Sequence, residues 1–152
     1  MKVLVAGGAG FIGSHLIDAL LERGDSVVCV DNLCLGSKDM IKHCLGNTAF
    51  AFVEMDICNA EELNSLFGSH KFDRIYHLAA NSDIQKSGKD PSIDYHNTFM
   101  TTVSLLDAMC KHKVNELLFA SSSAVYGDKQ GLLNEEMGDL RPISYYGAAK
   151  LA

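Results

Sequence analysis

The segment Lys2–Gly24, KVLVAGGAGFIGSHLIDALLERG, changes its period half-way. Lys2-Val3-Leu4-Val5-Ala6 is a short apolar run rich in β-branched residues and bounded by glycine, the pattern of a strand buried on both faces. It is the expected central strand of a parallel sheet. From Phe11 onward, Phe11, Ile12, Leu16, Ile17, Leu20 and Leu21 recur at the spacing of one helical face, and Gly24 stands where a helix would stop. Gly8-Ala9-Gly10-Phe11-Ile12-Gly13 between them satisfies G-x-G-x-x-G, and Gly7 opens a G-x-x-G-x-x-G reading. Such glycines allow a sharp turn, close passage of the backbone by a pyrophosphate and tight packing of helix on strand, while the first-turn amides face the anion. Glycine also serves plain turns, so the triplet alone leaves both readings open.

Asp31 adds weight to the first. Ser26-Val27-Val28-Cys29-Val30 reads as a second buried strand, and Asp31 closes it about eighteen residues after Gly13, close to the spacing of a ribose-binding acid. A carboxylate there accepts hydrogen bonds from ribose hydroxyls and repels a 2′-phosphate, which favours NAD over NADP. Lys38 is the one nearby residue that argues otherwise.

At 152 residues, 47% hydrophobic and 21% charged with two prolines, the chain has the make-up of one folded domain with a real core. A net charge of −6 gives no support to nucleic-acid or membrane-surface binding. There is no apolar run of membrane-spanning length and no signal-peptide pattern, so a cytoplasmic location is the default. Cys29, Cys34, Cys44, Cys58 and Cys110 are odd in number and lack a C-x-x-C pair, and His15, His43, His70, His77, His96 and His112 show no ligand spacing. No disulfide framework and no metal site is expected.

Further along, Asn32 to Asn47 reads as a polar segment with a short helix around Lys38 to Leu45. A third strand is expected over Ala49 to Val53, then Asp56 at its carboxyl end. Two readings of Asp56 stand: a hydrogen bond to an adenine amine, or a carboxylate that makes a loop turn. Asn59 and Glu62 have the spacing of a capping box ahead of a helix that buries Leu63, Leu66 and Phe67. Arg74 to Leu78 is a fourth strand ending in Ala79 and Ala80, small enough for a ligand to pass close to the backbone. Asn81 to Pro91 reads as a loop. Ser92 to His112 is a long helix with Ile93, Phe99, Val103, Leu106 and Met109 as its stripe, and Leu117 to Ala120 a fifth strand. Strands alternating with helices imply right-handed βαβ units and an α/β doubly wound parallel sheet of Rossmann type.

The fifth strand runs into Ser121-Ser122-Ser123-Ala124-Val125-Tyr126-Gly127, and Tyr145-Tyr146-Gly147-Ala148-Ala149-Lys150 follows. A helix places Tyr146 and Lys150 on one face, one turn apart. An ammonium there favours the phenolate form of the tyrosine and suits Tyr146 to work as a general base. A serine hydroxyl at the strand's carboxyl end can hold a substrate oxygen and share its proton with the tyrosine.

Taken together, Gly7 to Gly13, Asp31-Asn32-Leu33, Asp56-Ile57, His77-Leu78-Ala79-Ala80, the serine run with Val125-Tyr126-Gly127, and Tyr146 to Lys150 resemble the extended short-chain dehydrogenase/reductase family. The likeness is to its nucleotide-sugar epimerase and dehydratase branch and covers the whole chain. It implies NAD bound through Gly7, Gly10, Phe11, Ile12 and Gly13, with Asp31 and Asn32 at the adenosine ribose and Asp56 and Ile57 flanking adenine. Leu78, Ala79, Ala80 and Ser82 would line the nicotinamide half. Tyr146, Lys150 and Ser122 match the family's catalytic residues, with Ser123 beside Ser122 toward substrate. Asn97 matches the asparagine that supports the lysine, or is an ordinary polar helix residue. His77 belongs to the strand end and is read as structural.

Dehydratases of the branch carry Asp-Glu directly after the catalytic Thr, where this chain has Ser123 and Ala124. The resemblance therefore points to 4-epimerisation of a UDP-sugar of the UDP-glucose/UDP-galactose type through a transient 4-keto sugar. Dehydration, decarboxylation and reduction are the alternatives. Met100 stands where the family often has glycine. Family members continue for roughly as many residues again with a substrate lobe, and their dimers pair through the long helix and the tyrosine helix. Two expectations follow for the chain: the NAD-binding part (residues 1–152) of such an epimerase, which the resemblance would pair into a homodimer, or a non-catalytic NAD-binding module. The fifth strand is expected to stand as an open edge.

Overall fold

A computed structural model describes residues 1–152. The chain forms two compact units, one of Met1–Ala79 with Thr101–Ala120 and the other of Ala80–Met100 with Ser121–Ala152.

The first unit contains the sheet. Strands β1 (Lys2–Ala6), β2 (Ser26–Asp31), β3 (Phe50–Glu54), β4 (Arg74–His77) and β5 (Leu117–Phe119) lie in the order β3-β2-β1-β4-β5, and all are parallel. The run that opens the chain is the central strand, as its composition requires. Because side chains alternate along a strand, Leu4 and Ala6 face one core and Val3 and Val5 the other. Helices α2 (Ala60–Ser69) and α5 (Thr101–His112) cover the first face through Leu63, Phe67, Leu105 and Met109. Helix α1 (Phe11–Glu22) and a 3-10 turn, Lys38–Cys44, cover the second through Ile17, Leu20, Ile41 and Cys44. Burial on both faces explains the near-continuous apolar strands.

The strand order reverses at β1. The chain leaves it toward β2 and β3, then returns to its other side for β4 and β5, and the carboxyl ends of β1 and β4 form the switch point where such sheets hold ligands. β5 is the outer strand, hydrogen-bonded to β4 alone.

Four local expectations are corrected. Phe11 and Ile12 are exposed, and the buried residues of α1 are Gly13, Ser14, Ile17 and Leu20; at roughly 100° per residue the first two point well away from Ile17. In the long helix the buried residues are Thr101, Leu105, Ala108 and Met109, while Val103 and Leu106 are exposed. The buried face runs instead through Asp94, Thr98, Thr101, Leu105 and Ala108, in part polar side chains that a count of apolar residues passes over; Tyr95–Met100 within it winds as a π-helix. The stretch 81–91 contains a short helix, α3 (Ile84–Ser87), capped by the Asp83 side chain accepting from Lys86 N–H. The capping box is half present: the Asn59 side chain accepts from Glu62 N–H, whereas Asn59 N–H donates to the Asp56 carbonyl at 2.9 Å.

In the second unit, helices α3, α4 (Ser92–Asp94) and α6 (Tyr145–Leu151), the π-helical turn and a 3-10 turn, Ser123–Tyr126, pack together. No helix is long and apolar enough to cross a membrane.

Candidate active site

The glycines of the first turn divide by what holds them. Gly7 has φ +79°, and a Cβ there would lie 2.6 Å from Ala79 N, against the backbone that leaves β4. At Gly13 a Cβ would collide with the Gly7 carbonyl oxygen and stand 2.6 Å from Gly8 Cα. Gly10 is different: its backbone is extended, φ −84° and ψ 174°, and its nearest contact would be at 3.5 Å. Neither backbone nor packing demands glycine at that position. It is the N-cap of α1, which has no side-chain cap and no acidic residue in its first turn. The first-turn amides and positive dipole end are thus left to an external anion.

Asp31 is buried at the end of β2. Its Oδ2 accepts from Ala9 N–H at 3.0 Å and its Oδ1 from Leu33 N–H at 2.8 Å, tying the glycine turn to the loop beyond, where Leu33 takes a left-handed conformation. Each oxygen keeps a lone pair for a further donor. Lys38 is engaged elsewhere, 2.6 Å from Glu54 Oε2 and above the Phe52 ring, so it does not offset Asp31. Asn32 accepts from Cys34 N–H at 3.1 Å. Asp56 is exposed and accepts from Cys58 N–H at 2.9 Å, which is the loop-turn geometry; Ile57 beside it is buried in the core. Leu78 and Ala79 are half-buried at the end of β4.

The second unit gathers the other candidates. Ser122 caps the 3-10 turn, its Oγ accepting from Ala124 N–H at 3.2 Å with its own proton available for donation. Helix α6 starts from Ser144, whose Oγ accepts from Gly147 N–H at 3.0 Å. A Cβ on Gly147 would stand 2.5 Å from the Ala124 carbonyl oxygen, so α6 is pressed against the serine turn at the residue next to Tyr146. Tyr146 is half-buried and Lys150 buried at 6% exposure, with Nζ 6.0 Å from the Tyr146 ring centroid. Asn97 lies in the π-helical turn, against which α6 also packs. Ala80 is half-buried, and Ser82 and Ser123 are exposed.

Burial lowers the Lys150 pKa to about 8. The unfolded chain therefore holds this proton more tightly than the folded one, so stability rises as pH increases from about 8 to about 10.5. Urea denaturation across that range is expected to show a gain on the order of 3 kcal/mol that Lys150→Met lacks. An equal gain in the variant would show that the lysine is not the group that titrates.

Three features escaped the sequence reading. Gly147 was visible beside Tyr146 but had no assigned role. Gly127, with φ +73°, leaves no room for a side chain against the Arg141 carbonyl. Asn81 Nδ2 donates to buried Asp94 at 3.0 Å, and its N–H to Thr98 at 3.1 Å, a polar cluster anchoring the π-helical turn. No local signal in the sequence pairs these residues.

Residues 4–152 match the family model described as GDP-mannose 4,6 dehydratase. The chain belongs to this family. It is the nucleotide-sugar epimerase and dehydratase branch of the extended short-chain dehydrogenase/reductases, as the sequence resemblance indicated. Over 152 residues the chain is 37% identical to a UDP-glucose 4-epimerase of Halalkalibacterium halodurans, covering 100% of this chain and 44% of the relative. It superimposes on the UDP-Glc/GlcNAc 4-epimerase of Campylobacter jejuni with TM-score 0.92 and 36% identity, over 99% of this chain and 46% of that one. For the NAD complex of UDP-glucose 4-epimerase from Thermus thermophilus the TM-score is 0.89 and the identity 35%, over 99% and 47%. The chain thus spans a little under half the length of the relatives it matches.

Proposed function

We propose that the whole protein is an NAD-dependent 4-epimerase of a UDP-sugar, and that residues 1–152 provide its NAD-binding part together with its proton-transfer residues. The observation that carries the cofactor half is Gly10 at the uncapped start of α1, beside the paired Asp31 carboxylate. A pyrophosphate fits the open first turn formed by Gly7, Gly10, Phe11, Ile12 and Gly13. Asp31 and Asn32 hold the adenosine ribose, Asp56 and Ile57 flank adenine, and Leu78, Ala79, Ala80 and Ser82 line the nicotinamide half, with Asn97 supporting Lys150.

Bound NAD supplies a reversible two-electron acceptor for the sugar C4–H. Tyr146, as phenolate, takes the proton of the C4 hydroxyl, and Ser122 donates a hydrogen bond to the same oxygen, with Ser123 at its side. Lys150 is mostly protonated at neutral pH and stabilises the negative charge on Tyr146. Tyr146 returns the proton once the 4-keto sugar has been reduced on its other face, and the cycle is redox-neutral. The namesake reaction of the family model, dehydration, needs an acid and a base beside the catalytic serine, and Ser123 and Ala124 supply neither. The exposed Val103 and Leu106 of α5 support a homodimer, and five free cysteines support a cytoplasmic location.

Denaturing the purified protein and identifying the released nucleotide tests the cofactor. About one NAD per chain and no NADP is expected. Release of NADP, or of no dinucleotide, would remove Asp31 from the ribose and Gly10 from the pyrophosphate.

A further inference from the structure

On the α1 face of the sheet, three side chains from distant parts of the sequence meet. Asp18 of α1 lies 2.7 Å, through Oδ1, from His43 Nε2, and the Cys44 thiol donates to the same oxygen at 3.5 Å. The ligand-type atoms of all three lie within 4.8 Å of one another. No spacing along the chain pairs them, because Asp18 sits on a helix and the other two on the 3-10 turn packed beside it.

We propose that Asp18, His43 and Cys44 form a three-ligand site for a borderline-soft divalent cation of the zinc class, with the fourth position left to water. Carboxylate oxygen, imidazole nitrogen and thiolate sulfur are the donors such ions select. Around a tetrahedral zinc with bonds of about 2.0–2.3 Å, donor atoms stand about 3.3–3.6 Å apart. The sulfur–oxygen separation already has that value, and one swing of the exposed His43 side chain opens its contact with Asp18 by about half an ångström and closes its wider gap to Cys44 by about one. Cys44 is buried at the base of the group, Asp18 is half-buried and His43 is at the rim. Binding is balanced in atoms and charge. The Cys44 S–H bond breaks and its proton leaves to solvent, the His43–Asp18 hydrogen bond is replaced by two metal bonds, and the carboxylate and thiolate neutralise the dication. Burial and the neighbouring Asp18 carboxylate hold the empty thiol protonated, with a pKa of about 11.

The consequence is local to the first unit. The 3-10 turn follows the Leu33 loop that Asp31 braces, and a cation would fasten that turn to α1.

Cobalt(II) is the probe, titrated into chelator-treated protein. A thiolate-to-cobalt charge-transfer band with tetrahedral d–d absorption, displaced by zinc(II), is expected. His43→Gln, at an exposed position that leaves the fold intact, and Cys44→Ser are each expected to weaken binding about 100-fold or more, and Cys34→Ser to leave it unchanged. Zinc(II) is expected to raise the melting temperature of the parent protein but not of His43→Gln. No charge-transfer band, a band that survives His43→Gln and Cys44→Ser, or a band lost in Cys34→Ser would overturn the site and leave a surface carboxylate–imidazole pair.

Discussion

Replacing Tyr146 by Phe in the whole protein is expected to lower turnover of a UDP-sugar about 1,000-fold, within the range for losing a general acid–base, with KM nearly unchanged. The split between the two parameters is the informative part. The substitution removes one oxygen from a half-buried side chain and leaves the ring that stands 6.0 Å from Lys150 Nζ. Packing of α6 on the serine turn is set by Gly147 and by the Ser144 cap, neither of which is touched. Folding stability is therefore expected to stay within about 1 kcal/mol of the parent. A variant that turns over at the normal rate would show that the proton of the sugar hydroxyl goes elsewhere, and a variant that fails to fold would show that the phenol is a structural group.

The second large effect separates two glycines three residues apart. Gly13→Ala forces a methyl against the Gly7 carbonyl and the Gly8 backbone, with no flexible side chain to yield. A loss of about 1–3 kcal/mol is expected, typical of overpacking, and bound dinucleotide is lost as the turn shifts. Gly10→Ala meets nothing closer than 3.5 Å in an extended backbone that any residue adopts. Its urea midpoint is expected to stay near the parent value, while its content of bound NAD falls at least about tenfold, because the methyl stands over the open first turn of α1. If Gly10→Ala kept its dinucleotide, the pyrophosphate would not pass there. If it unfolded like Gly13→Ala, the turn would be a packing device alone.

These two glycines also show which parts of the molecule can be read from the chain. Strand β1, the glycine turn and Asp31 are local in sequence: a β-branched run buried on both faces, glycines at Gly7 and Gly13 where a Cβ collides, and an acid at the end of the next strand. The parallel, doubly wound character of the sheet followed from alternation of strands and helices with right-handed crossovers, whereas the order of its strands is seen only in the fold. Phase was less legible. The long helix buries Asp94, Thr98 and Thr101 on its inner face, polar residues that a count of apolar side chains passes over. Phe11 and Ile12 were counted as buried because they are apolar, although their angular position turns them away from the sheet. Contacts between distant segments left no trace at all: Asp94 with Asn81, Gly127 with Arg141, and Asp18 with His43 and Cys44 exist only once the elements pack. For the proposed proton-transfer pair, the helical spacing of Tyr146 and Lys150 was explicit, and the depth of Lys150 was not.

Incubating the purified whole protein with UDP-galactose, with no added cofactor, and following the nucleotide sugars by chromatography and mass tests the central reading most directly. The account predicts conversion to UDP-glucose of unchanged mass, sustained by NAD that stays bound. A product lighter by one water, a product lacking carbon dioxide, or turnover that depends on added reduced cofactor would contradict it.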